Sequence, residues 1–473
     1  MTSSNAETQS LSRSQTQSDY LILDAHTLKD LEIFESATGA ESLFEFCDFT
    51  RTEGGAKELR KRMELPWSNV DRIHATQESI SFILEQRQAF IKLPSYITRS
   101  VEQYQREVLM LVTQDNWLEF SIGAFSIWAN DRHYHAVLRG VQFACGLIRA
   151  SRRFVGQAEL NSPEGELVSI LAEMRELLNR PRLQQVPEEE IGGRRPWRVL
   201  RLDQTFRMHE KESIFRLLQL IYEVDALVSM ATATRKHGFI LPRVEEGLPS
   251  VQAEGLVHPF VANAVANPVV LDQQRRLLFL TGPNMAGKTT YLRAFAIALY
   301  LGHMGMGVPA RDFRFAPAQR LFSSITLSDD LRAGISYFRA EALRVKAIAQ
   351  AIAENYRVVA ILDEPFKGTN VKDALDASLA IMERFATRKG CLFMFSSHLI
   401  ELKEQINIED QINCCHFEAE EDDGRLRFDY TLRPGVSTQR LGLRVLQEEG
   451  VFELLDRTMG SGSIDSETFS KET

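Results

Sequence analysis

The stretch "LFLTGPNMAGKTTYLRAF", Leu278–Phe295, decides how the rest of the chain is read. An apolar run ends in a glycine-bearing loop, and Lys288, Thr289 and Thr290 then lead into a segment of helical character. Gly282, Pro283, Asn284, Met285, Ala286, Gly287, Lys288 and Thr289 fit the pattern G-x-x-x-x-G-K-[ST] without a mismatch. Glycines let backbone N–H groups wrap around phosphate oxygens, and the following helix turns its positive end toward them. Lys288 is placed to reach the β- and γ-phosphates, and the Thr289 hydroxyl to ligate a metal ion. The predicted cofactors are therefore ATP and Mg2+, with Gly282 through Thr290 as the binding segment.

A second apolar run, "VVAILDEP", ends in Asp363 and Glu364. A carboxylate at a strand end holds Mg2+ through its water shell, and the next one orients and polarises the attacking water. Alone, such a pair is as often a solvated turn; downstream of a phosphate loop, the catalytic reading is taken. "CLFMFSSH" is a third run, ending in His398, which is expected at the γ-phosphate.

Outward from this centre the texture changes. From 250 to 458, "NPVVLD", "RLLFLT", "YRVVAILDE" and "KGCLFMFSSH" alternate with helical stretches, which predicts an α/β P-loop NTPase domain with a buried, largely parallel sheet. From 20 to 249 the pattern is helical. "TEGGAKELRKRMELPW", "SVEQYQREVLMLV" and "SIFRLLQLIYEVDALVSMATATRKHG" repeat apolar residues at three- and four-residue intervals. Residues 1–19 and 459–473 are polar and read as disordered tails.

Composition leaves the partner open. Of 473 residues, 44% are hydrophobic and 25% charged, as in an ordinary globular protein. No apolar run approaches the roughly 20 residues of a membrane span, and the N-terminus carries no signal-like apolar region. Five irregularly spaced cysteines suggest reduced thiols in a cytoplasmic protein. Cys414, Cys415 and His416 adjoin one another, which is poor geometry for a tetrahedral metal site. A net charge of −9 does not advertise nucleic acid, yet a local basic face can act inside an acidic chain. Such a face is offered by "GGRRPWRVLRLDQTFRMHEK", Gly192–Lys211, where Arg194, Arg195, Arg198, Arg201, Arg207 and Lys211 surround Trp197. Its alternative is a solvated turn.

The segment "TGPNMAGKTTYLRAFAIALYLGHMGMGVPA" resembles the ATPase of the MutS mismatch-repair family. The likeness continues in "SDDLRAGISYFRAE", Ser328–Glu341, in "DEPFKGTNVKDA", in His398 and in "RPGVSTQRLGLRV", Arg433–Val445. "LDAHTLKDLEIFES" and "CDFTRTEGGAKELRKRMELPW" are similar to the start of that family's helical core and levers. The resemblance implies an ABC-type ATPase domain preceded by an all-α core and lever domain. It implies a homodimer through the ATPase domains, with Ser336 donated to the partner's nucleotide and Gly368, Thr369 and Asp373 in the interface loop. It further implies mismatched or branched DNA as ligand and a MutL-like partner protein.

The chain also departs from the family pattern. It has no Phe-x-Glu element, so the mismatch-reading and connector domains are expected to be missing, and the short span between "MELPW" and the ATPase implies a clamp that is reduced or missing. Where an aromatic would stack on adenine, "ANAVANP" has Ala264 and Val265. Three readings stay open: an ATP-gated DNA-binding dimer, a transport or chromosome-structuring ATPase, and an ATP-dependent scaffold for a protein partner. The spacing of Gly282 and Asp363 leaves no room for the long coiled coil of a chromosome-structuring ATPase, and a transporter's Gly-Gly-Gln loop is absent.

Overall fold

The structure is a computed structural model that describes residues 19–36, 39–86, 94–326, 337–398, 402, 411–422, 425–437, 439 and 442–460. Ser336, the stretch before it and nearly all of both expected tails lie outside the described residues; Met459 and Gly460 end a helix, Val451–Gly460. The chain divides into two compact units. One comprises the residues up to Ala253 together with Ala296–Leu321, and the other Glu254–Phe295 together with Phe322 onward.

The first unit is mostly helical. Its centre is the Lys211–Lys236 helix, which buries Leu217, Leu220, Ala226, Leu227 and Met230. The Glu53–Glu64 helix starts where Thr52 caps it by accepting from the Gly55 N–H at 2.9 Å. The glycines after that cap have a packing reason. A Cβ on Gly54 would fall 2.3 Å from the Tyr222 ring, and one on Gly55 would fall 2.2 Å from Asp225 Oδ2. Asp225 receives the backbone N–H groups of Arg51 and Thr52 and the Thr52 hydroxyl, the last at 2.6 Å. These bonds satisfy a carboxylate whose pKa burial raises.

The helix expected over "SVEQYQREVLMLV" is shorter than its apolar pattern. It spans Ser95–Arg106, because the Leu109 and Met110 carbonyls turn to accept from Arg207 at 3.1 and 3.0 Å. Arg207 lies in a π-helical turn, Thr205–His209, and also grips Asp203 through Nε at 2.7 Å and Nη2 at 2.5 Å. The Tyr104 hydroxyl donates to the same carboxylate at 2.5 Å. Arg207 and Asp203 are both buried, so this arginine, counted in the basic segment, faces inward. Arg201 lies over the Phe120 ring at 4.0 Å and is exposed, as are Arg194, Arg195, Arg198 and Trp197.

The second unit is built on a mixed sheet. Across it run, in order, Val358–Asp363, Leu392–Ser396, Leu277–Thr281, Ile412–His416 and Arg433–Pro434. The four strands from Val358–Asp363 to Ile412–His416 are parallel, and Arg433–Pro434 joins antiparallel. Every residue of Leu277–Thr281 is buried, as a strand covered on both faces requires. Phe279, Phe393, Phe395, Ile348, Met382 and Phe385 form the core around it, with the Phe385 and Phe393 rings stacked at 4.4 Å. Register matters most for the site: Asp363 and Leu280 both pair with Ser396, which aligns three strand ends at one edge.

Candidate functional site

The loop after Leu277–Thr281 rises from that edge into the Lys288–His303 helix. Gly282 has φ +143° and Gly287 φ +99°. A Cβ on Gly282 would sit 2.7 Å from the Phe417 carbonyl oxygen, so only glycine leaves the backbone this path. Met285 holds a left-handed φ of 70° at the tip, where its side chain is exposed, while Ala286 beneath it is buried.

Lys288 is buried. Its ammonium donates to the carbonyls of Gly282 at 2.8 Å and Pro283 at 3.1 Å and lies 3.2 Å from Glu364 Oε1. The Thr289 hydroxyl donates to Asp363 Oδ2 at 2.5 Å, and the Ser396 hydroxyl donates to Asp363 Oδ1. Asp363 thus faces Thr289 with one oxygen and is anchored by the other.

Glu364 adopts φ 49°, unusual for a residue with a side chain, and Phe366 follows at 68°. The Glu364 N–H pins this turn by donating to the Ser396 hydroxyl at 2.9 Å and to its carbonyl at 3.2 Å. Glu341 braces the next residues: its carboxylate accepts the Lys367 N–H at 3.1 Å and the Gly368 N–H at 3.4 Å. Such left-handed residues persist only where their surroundings over-determine them, which is common at reactive sites.

Around Glu364 the charge is positive. Lys367 lies at 2.9 Å, Lys288 at 3.2 Å, and Nδ1 of the exposed His398 at 3.7 Å. His398 first, then Lys367 and Lys288, hold the Glu364 carboxyl far below the usual carboxylate range despite its burial. At 3.7 Å the imidazole acts by proximity rather than through a well-formed hydrogen bond.

A cavity of about 680 Å³ opens over this constellation. Its lining includes Asn284, Met285, Lys288, Thr289, Thr290, Asp363 and Glu364, together with Asn263, Ala264, Val265, Phe417 and Tyr430. The structure therefore gathers Gly282–Thr290, Asp363 and Glu364 at one cavity, with His398 beside Glu364. Gly368 lies on the loop beyond, where its N–H donates to Glu341, whereas Asp373 lies in the first turn of the Val371–Ala386 helix, its N–H donating to the Asn370 cap at 2.9 Å.

Sequence reasoning missed Ser396 and Tyr430. Ser396 reaches Asp363 through strand register, and Tyr430 is carried to the cavity by Asn267, which donates to its carbonyl at 2.9 Å and accepts the Leu432 N–H at 2.7 Å. Only the position of Ser396 at a strand end could have signalled it.

The residues fit a magnesium nucleotide. A hydroxyl beside a carboxylate is a hard oxygen pair suited to Mg2+, which keeps most of its waters and takes one or two protein ligands. The buried ammonium suits phosphate, and the cavity is of the size that takes a small ligand. Among the described residues no helix is long and apolar enough to cross a membrane.

Comparison with protein-family models agrees. Residues 278–457 match the model described as MutS domain V, and residues 26–191 the model described as MutS domain III. Domain V is that family's ATPase domain, and the two together support a MutS-like ATPase of DNA repair. With both models matched in chain order over most of its length, the chain belongs to the MutS family.

Proposed function

We propose that this chain is an ATP hydrolase with a P-loop NTPase fold of ABC type, acting as a homodimer whose nucleotide state controls its grip on mismatched or branched DNA. The observation that carries the reading is the cluster of Lys288, Thr289, Asp363 and Glu364, locked together by Ser396. Gly282 through Thr290 hold the phosphates, and Thr289 with Asp363 hold Mg2+. When bound, Mg2+ neutralises charge on the phosphate oxygens.

Lys288 exchanges its carbonyl partners for phosphate oxygen. Glu364 accepts a hydrogen bond from the attacking water; with its pKa held so low, it orients the water more than it removes a proton. His398, 3.7 Å from Glu364 Oε2, sets that carboxylate's direction. Tyr430 supplies the aromatic surface for the base that Ala264 and Val265 do not.

The homodimer forms through the ATPase domains, with Ser336 completing the partner's site. In support, the Val451–Gly460 helix leaves Phe452, Leu454 and Leu455 exposed. The functional domains run over 20–249 and 250–458, hydrolysis moves the helical levers, and a MutL-like protein reads the result. Five free cysteines suit a reducing cytoplasm.

A second reading, a scaffold that binds a protein and no DNA, draws support from the inward-facing Arg207, which weakens the basic segment. Binding to homoduplex, mismatched and four-way-junction DNA, at fixed salt with ADP and with a non-hydrolysable ATP analogue, separates the two. A nucleotide-dependent preference for one DNA structure is expected. Equal or absent binding in every state, with hydrolysis intact, sinks the DNA reading.

A further inference from the structure

The Trp117–Trp128 helix buries one side and leaves the other bare. Phe120, Ala124 and Ile127 are buried. On the opposite side Trp117 is 73% exposed, Leu118 56%, Ile122 66%, Phe125 57% and Trp128 47%. At about 100° per residue these five fall within one arc of roughly 140°, a single continuous face. Together they leave on the order of 600 Å² of apolar side chain in water, the upper end of what a soluble monomer exposes. Glu119 is the one charged residue in the helix, so the face brings no cation to a phosphate backbone or an anionic lipid.

The order of residues along this face is self-complementary. Reversed about the helix midpoint, Trp117 exchanges with Trp128, and the small Ser121 exchanges with the large Phe125 to within one residue. A two-fold axis through the midpoint therefore sets rings against rings at both ends and a ring over a hydroxymethyl group on each side of the centre. With its rim, such a face approaches the roughly 800 Å² per partner of a standard interface.

We propose that this helix is a self-association surface, on which the same helix of a second copy docks antiparallel across a two-fold axis. It lies wholly in the helical unit and uses no nucleotide, so it stands or falls separately from the ATPase reading.

The test is cross-linking of the full-length Ser121→Cys chain with a short bismaleimide, with and without an ATP analogue, against the unsubstituted chain as background. A covalent dimer is expected in both conditions. Adding Ile122→Asp and Phe125→Asp, both at exposed positions, is expected to cut the cross-linked fraction at least tenfold while leaving the circular dichroism unchanged. Should those two substitutions prevent folding, the Ser121→Cys result alone decides. No cross-link above background overturns the proposal. So does a cross-link that the two aspartates leave intact in a folded chain, and so does a monomer that binds neutral phosphatidylcholine vesicles through this face.

Discussion

At the scale of single residues, two carboxylates show how surroundings divide one chemistry into different roles. Glu364 sits among three basic side chains, so its charge is wanted in the folded state. Glu364→Gln is expected to keep ATP binding, since triphosphate replaces the lost anion, and to slow turnover on the order of 10²- to 10⁴-fold. Nucleotide binding and steady-state hydrolysis measured on the same preparation check this; unchanged turnover removes Glu364 from the mechanism. A pH consequence follows. The unfolded carboxyl titrates near its ordinary 4.5 and the folded one far lower, so the stabilisation is complete above that value and is lost as pH falls through the acid range. Denaturant titrations should lose stability less steeply on acidification in Glu364→Gln than in the parent chain. Asp203, by contrast, serves the packing of the helical unit, where it neutralises buried Arg207 and accepts from Tyr104. Asp203→Ala leaves that guanidinium buried without its partner, and a loss of about 3–5 kcal/mol is expected from chemical denaturation.

Elements meet where side chains let them. Gly54 and Gly55 open the Glu53–Glu64 helix at a point where Tyr222 and Asp225 of Lys211–Lys236 leave no room for a Cβ. Gly54→Ala should raise intrinsic helix propensity by up to about 1 kcal/mol, yet overpacking costs about 1–3 kcal/mol, so net destabilisation is expected. A thermal melt of the variant above that of the parent would refute this account of the packing. Such contacts explain what the sequence made legible. The Gly282–Thr289 motif was readable because its glycines, lysine and threonine are near neighbours in the chain. Ser396 and Tyr430 were not, because each joins the site through a partner far away in sequence, Ser396 by its bond to Asp363 and Tyr430 by its bond from Asn267. The basic segment was visible as charge, and even the Asp203–Arg207 spacing was on view. What the sequence did not reveal was Tyr104 closing over that pair and the Leu109 and Met110 carbonyls taking the remaining donors. Those carbonyls also account for a helix that stops before its apolar pattern does.

For the whole molecule, the question is whether one chain holds a complete ATPase. The described cavity takes Lys288, Thr289, Asp363 and Glu364, the residues proposed to hold phosphate, metal and water, from a single unit. The resemblance assigns the remaining serine, Ser336, to a second copy, and that assignment can be tested without a view of the interface. Lys288→Ala should abolish hydrolysis by removing the buried ammonium from its own loop, and Ser336→Ala by removing the donated hydroxyl. In a mixed dimer of the two variants, one composite site carries both defects while the other carries neither. Random mixing in equal amounts makes about half the dimers mixed, each with one intact site of two, so about a quarter of the unsubstituted activity should return. The measurement is hydrolysis by each variant alone and by the pair after exchange of subunits. Recovery near that fraction requires Ser336 to act across the dimer. If the mixture is as inactive as its components, each site is completed within its own chain, and the head-to-tail dimer loses its chemical rationale.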